Sequence, residues 1–92
     1  MLTPRRSGAF KQEYALAERR GRDMSKLDKV MEMLVKEQPL PPDRLDHPLH
    51  GSYSKYRECH IQGDWVLIYR IYPAERQIVF DRTGTHSDLF KK

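Results

Sequence analysis

The sequence predicts an α+β fold in which two helices pack on one face of an antiparallel sheet. Apolar residues recur at helical spacing in two segments between residues 8 and 35, which indicates two amphipathic helices. From residue 53 onward the apolar residues alternate with a period of two, which is typical of strands. Two turn signals divide this second region into three strands. Helices followed by consecutive strands pack as one layer of each.

Length and composition predict one small soluble domain. The 92 residues, of which 38% are hydrophobic and 33% charged, suffice for a single core over residues 1–92. The net charge of +4 favours RNA, DNA or an acidic protein as partner. Cys59 is the only cysteine, which excludes an intramolecular disulfide and fits a reducing cytoplasm. The sequence shows neither a secretory signal nor a membrane-spanning apolar run, so we expect a cytoplasmic protein with no membrane partner.

The first half of the chain holds a weak strand signal and two helices. "LTPR" is compatible with an edge strand, where Pro4 is tolerated. Phe10, Tyr14 and Ala17 form the apolar stripe of the first helix. The second helix has a candidate N-cap at Ser25. Its stripe consists of Leu27, Val30, Met31, Leu34 and Val35. The short polar connection between the helices predicts an antiparallel hairpin.

The second half reads as a three-stranded antiparallel meander formed by "SYSKYRECHI", "WVLIYRIY" and "RQIVFDRT". Alternation in the first segment places Tyr56, Glu58 and His60 on one face and Arg57 on the other. The second segment is apolar on both faces, as expected for a central strand. The helices should cover one face of a curved sheet, and the other face should have no helices of its own.

Histidines occur only in the second half of the chain, at His47, His50, His60 and His86. In an antiparallel meander His60 and Asp64 flank the first turn, and the chain leaving the third strand returns to that end. The topology therefore predicts that His60, Asp64 and His86 converge, and His47 joins them if its loop crosses the open face. Each residue alone is more often a solvated or turn-forming side chain, so the prediction depends on their clustering.

This set of residues suits the cleavage of RNA by its own 2′-hydroxyl group. The reaction needs a base, an acid and cations, and imidazole serves both proton transfers because its unperturbed pKa is about 6.5. Arg57 and Arg82 are candidates for stabilising the negative charge of the transition state. Trp65 and Phe90 are candidates for stacking a splayed base. The reaction requires no metal or other cofactor.

A metal site is a competing interpretation of the same side chains. His47, His60, Asp64 and His86 are all of metal-ligating types. The sequence lacks the HxH, HExxH and CxxC spacings, and Pro48 disfavours a helix through His47 and His50. We therefore expect no metal.

Four motifs occur together and in order in the second half: "DHPL-G", "YR-x-x-H", "DW-x-L-I-Y" and "R-x-G-x-H-x-x-L-F". With these motifs the chain resembles the YafQ branch of the RelE-type toxins, which are small bacterial mRNA interferases of type II toxin–antitoxin pairs. The resemblance is strong from Asp46 to Phe90 and weak over the helices. It implies a helical hairpin on an antiparallel sheet completed by an N-terminal strand. It also implies cleavage of mRNA in the ribosomal A site without a metal.

The resemblance assigns roles to individual residues. We predict proton transfer by His60, Asp64 and His86, and proton transfer or phosphate positioning by His47. We predict that Arg82 stabilises charge, and that Trp65 and Phe90 shape the mRNA pocket. His50 differs from the residues common at its position in relatives and is not expected in the site.

The resemblance also implies partners, namely a cognate antitoxin and the ribosome with its mRNA, with operator DNA reached only through the antitoxin. The alternative function is a non-enzymatic inhibitory protein on the same scaffold, similar to relatives that poison gyrase. Fold alone does not separate the two functions. The histidines favour the nuclease, because an inhibitory binding protein would not need them.

Overall fold

The computed structural model describes residues 1–90 and contains a five-stranded sheet in the order β1-β5-β4-β3-β2. The strands are β1 (Thr3–Arg6), β2 (His47–Pro48), β3 (Arg57–Gln62), β4 (Trp65–Tyr72) and β5 (Gln77–Thr85). The helices are α1 (Gly8–Arg19), α2 (Met24–Val35) and α3 (His86–Leu89), with 3₁₀ turns at Pro42–Arg44 and Gly51–Tyr53. β1 pairs parallel with β5, and the other pairs are antiparallel.

The predicted fold class is confirmed, although several details differ from the prediction. The sheet has a strand, β2, that the sequence did not indicate, because two residues show no periodicity and one of them is Pro48. The N-cap of α2 is Asp23 and not Ser25, since the Asp23 carboxylate accepts a hydrogen bond from the Ser25 amide at 3.1 Å. A carboxylate one residue before the first helical turn satisfies an otherwise unpaired amide.

The main core lies between the two long helices and one face of the sheet. Phe10 of α1, Leu27 of α2 and Trp65 of β4 are each 0% exposed. The remaining buried members come from the same helices, from β3, β4 and β5, and from Leu2 just before β1. Burial of this apolar area is the main source of stability. Within residues 1–90, no helix is long and apolar enough to cross a membrane.

The second face of the sheet is also covered, although by small elements. Val66 and Ile68 are 0% and 2% exposed and lie outside the main core cluster. The sequence predicts a face without helices, but the short helix α3 begins there at His86, directly after β5. Its C-cap residue Phe90 contacts Tyr53 of the 3₁₀ turn. This small layer leaves a shallow surface and not a filled core.

A β-bulge in β5 sets the geometry at the end of this strand. Phe80 pairs with Tyr69 and Arg82 pairs with Ile68, so Asp81 is the extra residue. Ser7, the N-cap of α1, donates from its hydroxyl to the Asp81 carbonyl oxygen at 2.6 Å. Bulges redirect the strand that carries them. The start of α1 is thus tied to the segment of β5 that leads to α3.

Candidate active site

Three histidines surround one buried carboxylate, Glu58, which is 4% exposed. The Nε2 atom of His86 lies 3.0 and 3.1 Å from the two Glu58 oxygens. The Nε2 atom of His47 lies 3.3 Å from Oε1, and that of His60 lies 3.8 Å from the same oxygen. An ionised carboxylate only accepts hydrogen bonds, so the imidazole nitrogen that faces it is the protonated one. We call these four residues the histidine cluster.

The strand ladder brings the cluster together. Glu58 and His60 are two residues apart on β3 and therefore share a face. His47 is the direct partner of Glu58 in the β2–β3 pair. His86 is the first residue of α3, immediately after β5. Three separate elements thus supply the rings, and β3 supplies the carboxylate.

Aromatic rings extend the cluster on one side. The ring of Phe90 stacks on His86 with a centroid distance of 6.0 Å and an interplanar angle of 29°. Tyr53 meets Phe90 edge to face at 6.0 Å. The rings of His60 and His86 are 5.9 Å apart. These contacts restrict the orientation of His86, which remains 46% exposed.

Short-range hydrogen bonds hold α3 in place. The Thr85 hydroxyl accepts from the Asp88 amide, and the Asp88 carboxylate accepts from the Thr85 amide, which forms a capping box. The hydrogen bond from the Thr85 backbone lowers the pKa of Asp88. Gly84 faces Leu89 and Asp88 so closely that a Cβ there would lie 3.2 Å from Leu89 Cδ2. The absence of a side chain at Gly84 lets α3 fold back against β5.

A second network, on the opposite face of the sheet, anchors the strand that carries His47. The carboxylate of Asp46 accepts from the Tyr69 hydroxyl at 2.7 Å and from Arg57 Nε at 3.1 Å. Burial, followed by the hydrogen bond to Asp46, raises the pKa of Tyr69. A two-residue strand has few ladder hydrogen bonds, so these side chains contribute to its position. We call Asp46, Arg57 and Tyr69 the anchor network.

Comparison with known proteins assigns this arrangement to a family. Residues 2–91 match the family described as the bacterial toxin of type II toxin–antitoxin systems, YafQ. The chain belongs to this family. It is 42% identical over 85 residues to the Escherichia coli K12 "mRNA interferase toxin YafQ", which covers 91% of this chain and 90% of that protein.

Solved structures agree with the assignment. The E. coli DinJ–YafQ toxin–antitoxin complex contains a chain with a TM-score of 0.88 and 40% identity, covering 97% of each chain. A metal-bound toxin from Helicobacter pylori has a TM-score of 0.92 and 40% identity, covering 98% of this chain and 100% of that one. The predicted family and toxin function are confirmed, and the predicted endoribonuclease agrees with the name of the curated relative.

The predicted site residues of this toxin divide into two groups. His47, His60, His86 and Phe90 come together in or beside the cluster. Asp64 is exposed in the turn between β3 and β4, and within residues 1–90 it forms no hydrogen bond or ion pair with a histidine. The turn is nevertheless adjacent to the cluster, since Nδ1 of His60 lies 3.3 Å from the Gly63 carbonyl oxygen.

The carboxylate that the structure places among the histidines is Glu58, which sequence reasoning did not select. The signal was present, because the period-two alternation already put Glu58 on the face of His60. A buried carboxylate is costly unless it is hydrogen-bonded or paired. A glutamate within a strand that shares a face with a histidine is therefore a candidate site residue.

Three of the predicted RNA-contacting residues lie elsewhere in the toxin. Trp65 is 0% exposed and donates to the Thr83 hydroxyl at 2.9 Å, so the prediction that it stacks a base does not fit the structure. Arg57 belongs to the anchor network on the other face of the sheet. Arg82 pairs with Glu13 of α1 at 2.6 Å, and this hydrogen-bonded pair raises the pKa of Arg82.

The cluster also has the composition of a metal site. Glu58, His60 and His86 each offer a ligand atom, and these atoms lie within 4.8 Å of one another. Two imidazoles and a carboxylate suit zinc, copper or another borderline metal. The competing metal interpretation therefore has a geometric basis, with Glu58 in the place predicted for Asp64.

Proposed function

We propose that this toxin is a ribosome-dependent endoribonuclease that cuts mRNA in the A site by acid–base catalysis without a metal. The observation that supports it most is the contact of His86 with buried Glu58 beside two further histidines. Proton transfer by positioned imidazoles is the form of catalysis that such a cluster provides. The relationship to proteins named mRNA interferase toxins supports mRNA as the substrate class.

The proposed chemistry is attack by a ribose 2′-hydroxyl on the adjacent phosphate. A base removes the 2′-hydroxyl proton as the oxygen bonds to phosphorus. The bond from phosphorus to the 5′-oxygen then breaks, and an acid delivers a proton to that oxygen. The products are a 2′,3′-cyclic phosphate and a 5′-hydroxyl end, with no net gain or loss of protons.

His86 is the proposed general base. Its Nε2 faces Glu58, and within residues 1–90 its Nδ1 has no hydrogen-bond partner. A carboxylate that holds one imidazole nitrogen orients the ring and stabilises the imidazolium that forms when the other nitrogen accepts a proton. Its partial exposure leaves Nδ1 within reach of a substrate hydroxyl group.

His47 and His60 are the proposed sources of the proton for the leaving group. His47 faces two acceptors, since Nδ1 lies 3.0 Å from the Pro48 carbonyl oxygen and Nε2 lies 3.3 Å from Glu58. His60 also faces two oxygens, those of Gly63 and Glu58. Two acceptors complement a ring that carries hydrogen on both nitrogens. Asp64, in the turn next to the cluster, and Arg82 are proposed to contact the substrate.

A leaving-group experiment tests the assignment. Ribosomes programmed with an A-site codon that carries either a 5′-oxygen or a 5′-sulfur leaving group are treated with His86→Ala, His60→Ala and His47→Ala. Sulfur departs without a proton, so the substrate with sulfur should rescue loss of the acid but not loss of the base. Exposed His50 lies outside the cluster, and His50→Ala is the matched control. Rescue of His86→Ala by sulfur would reverse the assignment.

The proposal includes the partners and the place of action. The relative from E. coli is solved as a toxin–antitoxin complex, and we propose a cognate antitoxin for this chain as well. Because the proposed action is on the ribosome, we propose the cytoplasm as its location. If free RNA were cut as fast as ribosome-bound mRNA, the ribosome dependence would be refuted.

A metal-dependent reaction is the second candidate, favoured by the ligand set of Glu58, His60 and His86 and by the metal-bound H. pylori relative. The metal-free mechanism predicts full cleavage in EDTA, and inhibition by zinc or copper because the metal occupies the imidazole nitrogens. Loss of cleavage in EDTA with recovery on adding zinc would support the second candidate instead.

A further inference from the structure

An unbroken series of π contacts crosses the face of the sheet that carries the histidine cluster. The Arg70 guanidinium lies 4.4 Å from the ring of Tyr72 and 5.6 Å from that of Tyr56. Tyr56 contacts Tyr53 at 6.2 Å, and Tyr53 contacts Phe90 at 6.0 Å. We call these five side chains, from Tyr72 to Phe90, the aromatic ladder. Its last member stacks on His86.

The ladder joins parts of the chain that are distant in sequence. Arg70 and Tyr72 are on β4, on the same face as Val66 and Ile68. Tyr56 directly precedes β3, and Tyr53 ends the second 3₁₀ turn. All five side chains retain contact with solvent, and Tyr53 is 46% exposed. The ladder therefore offers ring faces and edges at the surface.

Arg70 differs from several other arginines of the toxin. Arg20, Arg57, Arg76 and Arg82 each pair with a carboxylate. Within residues 1–90, Arg70 has no carboxylate partner, and its guanidinium lies between two tyrosine rings. A cation that is placed on aromatic rings and lacks a counterion keeps its charge available for an anionic ligand.

Stacking groups combined with free positive charge match the chemistry of a single nucleic-acid strand. Such strands are bound by aromatic side chains on which bases stack and by cations that follow the phosphates. An apolar protein segment would instead need a continuous hydrophobic groove, and here the apolar residues Val66 and Ile68 are already buried. The ladder also ends at the proposed general base.

We propose that the aromatic ladder is a binding track for single-stranded RNA, which holds the bases and phosphates of the nucleotides that flank the cleaved bond. The choice of RNA as the ligand rests on the proposed function. The position of Phe90 against His86 places the nucleotide nearest the cut at that end. Arg70 and Tyr72 hold nucleotides farther along the strand.

Binding of a fluorescein-labelled ten-nucleotide RNA, measured by anisotropy at low salt, tests the proposal. The comparison strand has the same length and charge but lacks bases. We expect the toxin to prefer the strand with bases, and Tyr56→Leu, Arg70→Gln and Tyr72→Leu each to weaken binding by roughly tenfold, as for loss of a base-stacking group. Each variant should also reduce the preference for bases.

Matched controls separate stacking from charge and from folding. Arg19→Gln removes one positive charge at an exposed site in the last turn of α1, and Ile71→Ala alters an exposed residue between Arg70 and Tyr72. Both should bind RNA as the unaltered toxin does. Arg70→Lys keeps the charge but loses the planar group, so it should recover only part of the affinity. Thermal melts identify variants that fold poorly.

The outcomes distinguish this proposal from the proposed function. If the toxin cuts translated mRNA and the ladder variants bind and cut normally, the ladder proposal is wrong and the nuclease stands. If the variants lose base-dependent binding but the unaltered toxin cuts no mRNA, the track stands and the nuclease fails. Equal binding of the two strands refutes the track. The track is also refuted if the ladder variants lose only their binding to the antitoxin, because the surface would then belong to a protein partner.

Discussion

Glu58 is the residue on which the geometry of the histidine cluster depends most. A carboxylate that is 4% exposed is destabilising unless its oxygens receive hydrogen bonds or face cations. Here the oxygens face the imidazoles of His47, His60 and His86. Each ring is therefore oriented by the same group, so loss of that group should affect all three.

Replacing Glu58 by glutamine tests this role with little change in volume. The amide oxygen still accepts one hydrogen bond, but the negative charge that stabilises an imidazolium is lost. We expect mRNA cleavage to fall by at least about tenfold, within the contribution typical of acid–base groups. Cleavage in a reconstituted translation mixture gives the rate, and a thermal melt checks the fold. An unchanged rate would show that Glu58 is only a buried structural residue.

The anchor network provides a second test at the scale of single residues. Tyr69→Phe removes the hydroxyl that donates to Asp46 and should cost about 1 kcal/mol of stability. It should also lower the cleavage rate, because Asp46 directly precedes His47. Tyr14→Phe is the matched control, since the Tyr14 hydroxyl donates to Asp28 over 2.7 Å and neither residue belongs to the histidine cluster. Equal activity of the two variants would contradict a positioning role for the anchor network.

The sequence predicted most of the histidines of the site but not the carboxylate that they face. The order of strands and turns predicted that His60 and His86 meet at one end of the sheet, and it placed His47 with them only if its loop crossed the open face. Asp64 was selected because it flanks the same turn as His60 and precedes the tryptophan of the "DW-x-L-I-Y" motif, and Glu58 was not considered. Side-chain reach decides which carboxylate meets the imidazoles, and spacing in the sequence does not contain that information.

At the scale of elements, α3 depends on its neighbours, because four residues are too few for a stable isolated helix. Gly84→Ala should displace it, since the new Cβ would lie 3.2 Å from Leu89 Cδ2 and 3.3 Å from Asp88 Cβ. We expect a loss of about 1–3 kcal/mol of stability, as for overpacking, together with slower cleavage as His86 moves. Melting temperature and cleavage rate measure the two effects.

Gly8→Ala is the control for this substitution. Gly8 begins α1, and a Cβ there would meet nothing within 4 Å, so the change should be neutral or slightly stabilising. If Gly84→Ala were equally harmless, the close approach of α3 to β5 would not be needed for the position of His86.

The capping box of α3 makes its stability depend on pH. The folded pKa of Asp88 is lowered, chiefly by the hydrogen bond from the Thr85 backbone. A lowered folded pKa means that the stabilisation is complete above the unfolded pKa of about 4 and is lost as the pH falls below it. The melting temperatures of the toxin and of Asp88→Asn should differ above pH 5 and converge in acid. A constant difference would contradict the assignment.

Elements with a repeating pattern were predictable and those without one were not. The stripes of α1 and α2 and the alternation of β3 identified these elements from the sequence. β2 was missed because its two residues are a strand only through their pairing with β3. α3 was missed for a similar reason, since its four residues are held by a capping box and by a glycine in the preceding strand.

At the scale of the whole molecule, the order of elements predicted the layers but not the cover of the second sheet face. Helical spacing in the first half of the chain and period-two alternation in the second half predict one helical layer and one sheet. The position of α3 and of the 3₁₀ turn at Gly51–Tyr53 depends on contacts between distant parts of the chain, such as that of Phe90 with Tyr53. This cover is what converts an open sheet face into a shallow site with aromatic walls.

The charge of the whole molecule leads to a prediction about the proposed binding to the ribosome. Lys and Arg number 17 against 13 Asp and Glu, and neutralising phosphates releases counterions, so the logarithm of affinity should fall linearly with the logarithm of salt concentration. For single-stranded RNA the slope is roughly −0.7 per phosphate contact. Sedimentation of toxin with programmed ribosomes over a range of salt concentrations measures this slope.

Substitutions of Arg70 and Arg76 test which surface of the toxin contacts the phosphates. Arg70 has no carboxylate partner within residues 1–90, whereas Arg76 pairs with Glu37 at 2.6 Å. If Arg70 contacts a phosphate, Arg70→Gln should make the slope shallower by about 0.7, while Arg76→Gln should leave it unchanged because its charge is already neutralised. The same change in both variants would mean that net charge alone attracts the toxin to the ribosome. A change confined to Arg70 would place the RNA on the sheet face that carries the histidine cluster.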